Sequence, residues 1–203
     1  MSTTIWARAL TFAFAPALLA CGCSEPGDRF DRPTAVAFSP AGEVYVADGY
    51  NHARIARFNR DGRFEGDWGA RGSGDGELRT PHSLCVDAEG RVYVADRENA
   101  RVAVFEPDGK PVMTWPSALV GRPWGIACGR DGFVYVVDGG DQDPTRPRGG
   151  LTKLTRDGHV VARGGASWNL DGGHALALGK DGAVYVAEAD GQRVRKLVPR
   201  RRP

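Results

Sequence analysis

Four stretches of the chain align without a gap: RPTAVAFSPAGEVYVAD (32–48), TPHSLCVDAEGRVYVAD (80–96), RPWGIACGRDGFVYVVD (122–138) and GGHALALGKDGAVYVAE (172–188). Each opens with an apolar run of strand length, meets a turn carrying Gly42, Gly90, Gly132 or Gly182, and then alternates through V-Y-V. The central tyrosines, Tyr45, Tyr93, Tyr135 and Tyr185, are spaced 48, 42 and 50 residues apart. A polar turn follows each copy, and then a third strand: ARIARF, ARVAVF, GLTKL or QRVRKL. In three copies an Asp-Gly turn (Asp61-Gly62, Asp108-Gly109, Asp157-Gly158) follows, and it leads to a fourth strand such as FEGDW or PVMTW. Asp-Gly favours tight hairpins because both residues tolerate positive φ. Four-stranded units repeating every 40 to 50 residues define an all-β chain of propeller blades. No window holds apolar residues at a 3.6-residue period, and 28 glycines with 13 prolines break any candidate helix.

Four blades are visible, and the last stops after its third strand at VPRRRP. The array is therefore either a small closed ring or an open arc of a larger one, and an open arc exposes two apolar blade faces, which predicts dimerisation or poor stability. The net charge of +2 over 203 residues provides no concentrated basic face, so nucleic acid is not an expected partner. Residues 1–20 read as an export signal, with Arg8 ahead of an apolar run from Ala9 to Ala20. The run ends in LLAC (Leu18–Cys21), which resembles the bacterial lipobox and implies acylation of Cys21, export, and anchoring at a membrane surface. Residues 21–31 are then a short linker, 32–198 the propeller and 199–203 a basic tail. Three further cysteines, Cys23, Cys85 and Cys128, make no even framework. Cys85 and Cys128 lie one position apart in corresponding apolar strands of successive repeats and read best as small buried side chains, a bridge between them being the alternative in an exported protein.

The blades resemble NHL repeats. The strings DGY (Asp48–Tyr50), PHSL (Pro81–Leu84) and DREN (Asp96–Asn99), in that order on successive blades, further resemble the peptidyl-α-hydroxyglycine α-amidating lyase family over residues 31 to 198. That resemblance implies a six-bladed propeller. It also implies cleavage of a peptide ending in α-hydroxyglycine to peptide amide and glyoxylate, at a central zinc held by three histidines, with a structural calcium. Carried over residue by residue, it assigns two zinc histidines to His82 and His174, the tyrosine base to Tyr50, and a substrate-facing arginine to Arg97. The chain departs from the family in three places. The blade bearing the first zinc histidine and the upstream arginine has no counterpart here. The aspartate that follows the third histidine and serves calcium is replaced by Ala175.

The repeat register independently singles out the histidines. His82 and His174 stand at the start of the innermost strand in repeats two and four, where repeats one and three carry Thr34 and Trp124. Imidazoles from alternate blades can thus converge near the axis, although a catalytic zinc ordinarily takes three protein ligands and keeps one position open. His52, in the DGYNHAR turn, is the in-chain candidate for a third ligand, but its turn is expected off-axis, and His159 is expected in solvent. Arg97 suits a carboxylate, which it can grip bidentately, unless Arg97, Glu98 and Asn99 only pair at the blade rim. Asp138, Asp141 and Asp143 do not follow a calcium-loop spacing. The partner expected of an active site is a peptide or small carboxylate. The alternative function is a lipid-anchored, non-catalytic propeller that binds a protein or glycan through rim loops such as GGDQDPTRPRGG (139–150). A sugar-lactone hydrolase is the third reading, and it lacks an acidic ligand cluster.

Overall fold

The structure, a computed structural model, describes residues 29–141, 149–164 and 170–198. The leader, Cys21, Cys23, Asp143 and the basic tail lie outside the described residues. Blade 1 is β1 (Ala35–Phe38), β2 (Val44–Asp48), β3 (Arg54–Phe58) and β4 (Phe64–Trp68). Blade 2 is β5 (Pro81–Val86), β6 (Val92–Asp96), β7 (Arg101–Phe105) and β8 (Pro111–Trp115). A single helical turn, α1 (Ser117–Val120), leads to blade 3: β9 (Pro123–Cys128), β10 (Val134–Asp138), β11 (Leu151–Leu154) and β12 (Val160–Arg163). Blade 4 has three described strands, β13 (Gly173–Leu178), β14 (Val184–Glu188) and β15 (Arg193–Leu197). Every sheet is an antiparallel meander in chain order. The hairpin turns close on left-handed glycines, such as Gly90 at φ 91° and Gly109 at φ 89°.

Side-chain alternation explains the stacking. In blades 1 to 3 the face that carries the V-Y-V tyrosine packs against the opposite face of the following blade. Three apolar clusters result. Tyr45, Ala47 and Ile55 meet Leu84, Val94 and Phe105. Tyr93, Val102 and Trp115 meet Ile126, Val136 and Leu154. Tyr135, Val137 and Leu151 meet Val184 and Val186. Burying each such side chain contributes about 1.5–3 kcal/mol, so the core is three inter-blade seams rather than one centre. The innermost strands β1, β5, β9 and β13 pack in sequence, but β13 does not return to pack on β1 as neighbours do. The described residues therefore form an open arc of four blades.

An acid at the end of the second strand recurs in every blade, buried in blades 1, 2 and 4 and half-buried in blade 3. Asp48, Asp96, Asp138 and Glu188 accept from the backbone N–H of Asp31, Arg79, Arg122 and Asp171, which fastens the incoming inter-blade connection. In blades 1, 2 and 4 the same carboxylate takes an arginine from the start of the third strand: Arg54, Arg101 or Arg193. The polar turns between strands are thus first of all structural.

The expectation of two separate buried thiols does not hold. Cys85 and Cys128 are not separate thiols but a disulfide between β5 and β9, with Cα atoms 5.6 Å apart. Cys85 aligns with Ala127, one position short of Cys128, and this one-residue offset is bridged once the innermost strands of adjacent blades lie side by side.

Candidate functional site

The second residue of the innermost strand escapes the ladder in blades 2, 3 and 4. Pro81 pairs with Asp96 and Ser83 with Ala95, leaving His82 between them unpaired. Trp124 and His174 sit at the same irregularity in β9 and β13. Such a bulge re-aims one side chain, and here it brings the three side chains together. The rings of His82 and His174 lie 4.8 Å apart, and Trp124 stands 5.0 Å from the first and 4.9 Å from the second. The expectation that both histidines start their innermost strands and come close is thus the geometry observed. What the alignment does not convey is that the tryptophan of the intervening blade touches both.

Hydrogen bonds settle the tautomer of His82. Its Nδ1 lies 2.7 Å from the carbonyl oxygen of Trp124, which can only accept, so Nδ1 carries the proton. In the neutral ring Nε2 is then an acceptor, and the Tyr50 hydroxyl donates to it at 3.3 Å. Burial lowers the pKa of His82, with the neighbouring His174 and Arg97 adding to the shift, although the Trp124 carbonyl opposes it. Burial and then Arg97 lower that of His174. Both rings are therefore neutral near pH 7, with a lone pair available to a proton or a metal.

Tyr50 and Arg97 come from equivalent loops, each following the second strand of its blade, beside the start of the neighbouring innermost strand. Gly49 makes this possible for Tyr50, since a Cβ at that position would overlap the Pro81 carbonyl. Tyr50 remains 43% exposed. Arg97 opens a 3-10 turn (Arg97–Asn99), and its guanidinium lies 3.8 Å from the centre of the Trp124 ring. It is already engaged: Nη1 donates to Glu98 at 2.6 Å and Nη2 to Asp141 at 2.9 Å. Arg122 pairs with the same two carboxylates, and Trp124 Nε1 donates to Asp141 at 3.2 Å. Two arginines thus face two acids, a balanced network that closes one side of the site. Arg122 and Asp141 have no marker in the repeat pattern that would reveal this pairing. Trp124 does, because it shares its register with the two histidines.

The remaining candidates stand apart. His52 Nδ1 is held by Asp48 at 2.6 Å, in keeping with a turn off the axis. His159 has 79% of its side chain in solvent. Ala175 is exposed. Among the described residues no group of three His, Cys, Asp or Glu side chains is placed to hold a metal. The site suits zinc in kind, through two neutral imidazoles of which one is oriented by a backbone acceptor, but it supplies two ligands where three are usual.

The comparisons follow this geometry. The NHL repeat family matches residues 30–58 and 78–105, the spans of blades 1 and 2. The chain is 33% identical over 189 residues to the peptidylglycine alpha-amidating monooxygenase of Rattus norvegicus, covering 86% of this chain and 19% of that one. It is 29% identical to a probable peptidyl-alpha-hydroxyglycine alpha-amidating lyase of Caenorhabditis elegans, covering 85% of this chain and 51% of the relative. The chain thus spans at most about half the length of these relatives. Among solved structures, a virginiamycin B lyase from Staphylococcus aureus superposes with a TM-score of 0.65 at 16% identity, over 82% of this chain and 52% of the other. A nidogen/laminin complex matches at a TM-score of 0.63 and 19% identity, over 81% and 60%. These two likenesses concern the fold alone. The chain is an NHL-repeat propeller, homologous at low identity and partial coverage to proteins of the peptidylglycine-lyase type.

Proposed function

We propose that the axial cluster is a lyase site for peptidyl-α-hydroxyglycine, with His82 and His174 as zinc ligands, Tyr50 as base and Arg97 facing the acidic end of the substrate. The observation that carries this reading is the imidazole pair, 4.8 Å apart, with His82 Nε2 turned toward the Tyr50 hydroxyl. A zinc bound there would polarise an oxygen of the substrate. The third ligand has to come from outside the described set. The lone pair that accepts from Tyr50 is the one a metal would take, so occupancy frees the phenol to face the substrate. As the phenolate left once its own proton has passed to solvent, Tyr50 would take the carbinol proton, the carbon–nitrogen bond would break, and the departing amide nitrogen would receive that proton, giving glyoxylate and peptide amide. Arg97 can hold a carboxylate only by exchanging Glu98 or Asp141, both of which retain Arg122 as partner. No calcium is proposed, since Ala175 provides no ligand.

The engaged state of Arg97 favours a second reading, a non-catalytic propeller that binds a protein or glycan at this rim. In either case we place the chain outside the cytoplasm, anchored at a membrane through acylated Cys21. The Cys85–Cys128 bridge supports this location, because such bonds persist in oxidising compartments.

Elemental analysis of the purified full chain after zinc loading tests the first reading. It expects bound zinc that His82→Ala abolishes, and glyoxylate release from a hydroxyglycine peptide that Tyr50→Phe abolishes without loss of metal. A chain that takes up no zinc leaves the binding propeller.

A further inference from the structure

Each internal seam repeats the same contacts, and the two ends of the arc carry the unmatched halves of one more. On the leading face of a blade, the fourth position of the innermost-strand repeat is Leu84 in blade 2 and Ile126 in blade 3, each 4% exposed. In blade 1 the same position is Val36, 55% exposed, and Phe38 two residues on is 67% exposed. On the trailing face, Tyr45 and Tyr93 are fully buried against the next blade. Tyr185 of blade 4 holds the equivalent place, and its face, with Ala175, Ala177 and Val194, has no blade against it among the described residues; Val194 is 68% exposed.

Polar groups repeat in the same register. The Tyr45 hydroxyl lies 3.4 Å from the Pro107 carbonyl of blade 2 and the Tyr93 hydroxyl 3.4 Å from the Arg156 carbonyl of blade 3, each sharing its proton with a nearer carboxylate of its own blade, Glu43 at 3.2 Å and Asp87 at 2.9 Å. Pro107 and Arg156 each stand two residues beyond the third strand, ahead of an Asp-Gly turn, and the residue in that place in blade 1 is Arg60. The Arg156 side chain also crosses the seam to pair with Glu89. The position of Glu89 in the repeat is occupied in blade 4 by Asp181. Arg60 is exposed and makes no ion pair among the described residues, while Asp181 pairs with Lys196 of its own blade at 3.0 Å and accepts from the Ala183 N–H at 3.1 Å.

We infer that copies of this chain associate head to tail, the trailing face of blade 4 in one copy packing on the leading face of blade 1 in another. Tyr185 then donates to the Arg60 carbonyl, and the Arg60 side chain pairs with Asp181, as Arg156 pairs with Glu89 within the chain. The exposed apolar side chains and the Arg60–Asp181 pair match the form of the seams already built, with Lys196, now beside Tyr185 and Asp181, yielding its place on Asp181 to Arg60. The inference is independent of any metal at the axial site. Being heterologous, the contact either closes into a ring or continues from copy to copy.

Sedimentation equilibrium of the purified full chain tests it. Mass above one chain, growing with concentration, is expected. Phe38→Asp, an exposed position that should leave the fold intact, is expected to weaken association about tenfold or more. Arg60→Glu and Asp181→Arg should each weaken it, and the double variant should recover it. A wild-type mass of one chain at every concentration overturns the inference. So does association that ignores all three substitutions, which would place the contact elsewhere, for instance in the apolar leader or with a different protein.

Discussion

Among single side chains, His82 and His174 show most directly how environment sets chemistry, since burial holds both below the ordinary imidazole value of 6.5. Below pH 6.5 the unfolded chain takes up protons that the folded rings refuse. Their contribution to stability is therefore full above that pH and declines as pH falls toward the lowered folded values. For His82 the loss is at most about 1.4 kcal/mol per pH unit in that window. Thermal melts at pH 7.5 and 5.5 should show a smaller acid-induced drop in His82→Gln than in the unchanged chain. An equal drop would mean that other groups control the acid response. Trp124 is the other decisive residue, because its carbonyl fixes the tautomer of His82 while its ring supports Arg97. The backbone carbonyl survives substitution, so Trp124→Phe should keep the His82 tautomer. It should lose the Nε1 bond to Asp141, and nitrogen chemical shifts of the imidazole would report whether the tautomer holds.

At the level of strands and turns, the buried acids and the disulfide hold the blades in register. Asp96 is fully buried and accepts from Arg79 N, Asn99 Nδ2 and Arg101 Nε, at 2.6, 2.7 and 2.8 Å. Asp96→Ala leaves the Arg101 guanidinium without its carboxylate and frees the connection into blade 2. Urea denaturation should show a loss of about 3–5 kcal/mol. The Cys85–Cys128 bridge joins residues 43 apart in sequence, and Cys85→Ala with Cys128→Ala should cost about 2–4 kcal/mol in the same assay. The bridge lies on the strands that begin with the His82 and Trp124 bulges. Its loss should therefore also loosen the Trp124 carbonyl from His82, read as faster exchange of the Nδ1 proton.

At the largest scale, the open arc formed by the described residues governs the behaviour. Three seams are buried, while Val36 and Phe38 at one end and the Ala175–Val194 face at the other remain in water. An isolated arc should be less stable than its buried seams suggest, because its end blades each lack one neighbour. If copies cover these faces for one another, the melting temperature should rise with protein concentration, by mass action. A melting temperature that does not change with concentration would mean that the arc is stable alone.

The repeat, the blade boundaries and the axial placement of His82 and His174 were all legible in the amino-acid order. Period-two alternation and Asp-Gly turns are local properties, and a repeat makes equal sequence positions equal in space. Tyr50 and Arg97 were reachable through the DGY and DREN strings. Three features depended on which blade lies beside which: the Cys85–Cys128 bridge, the Trp124 carbonyl on His82, and the balance of Arg97 and Arg122 against Glu98 and Asp141. These contacts join residues 1 to 44 positions apart, the longer ones across a seam, and no periodicity within a strand encodes them. The order of the residues determined what a blade is; the packing of one blade on the next decided what meets at the axis.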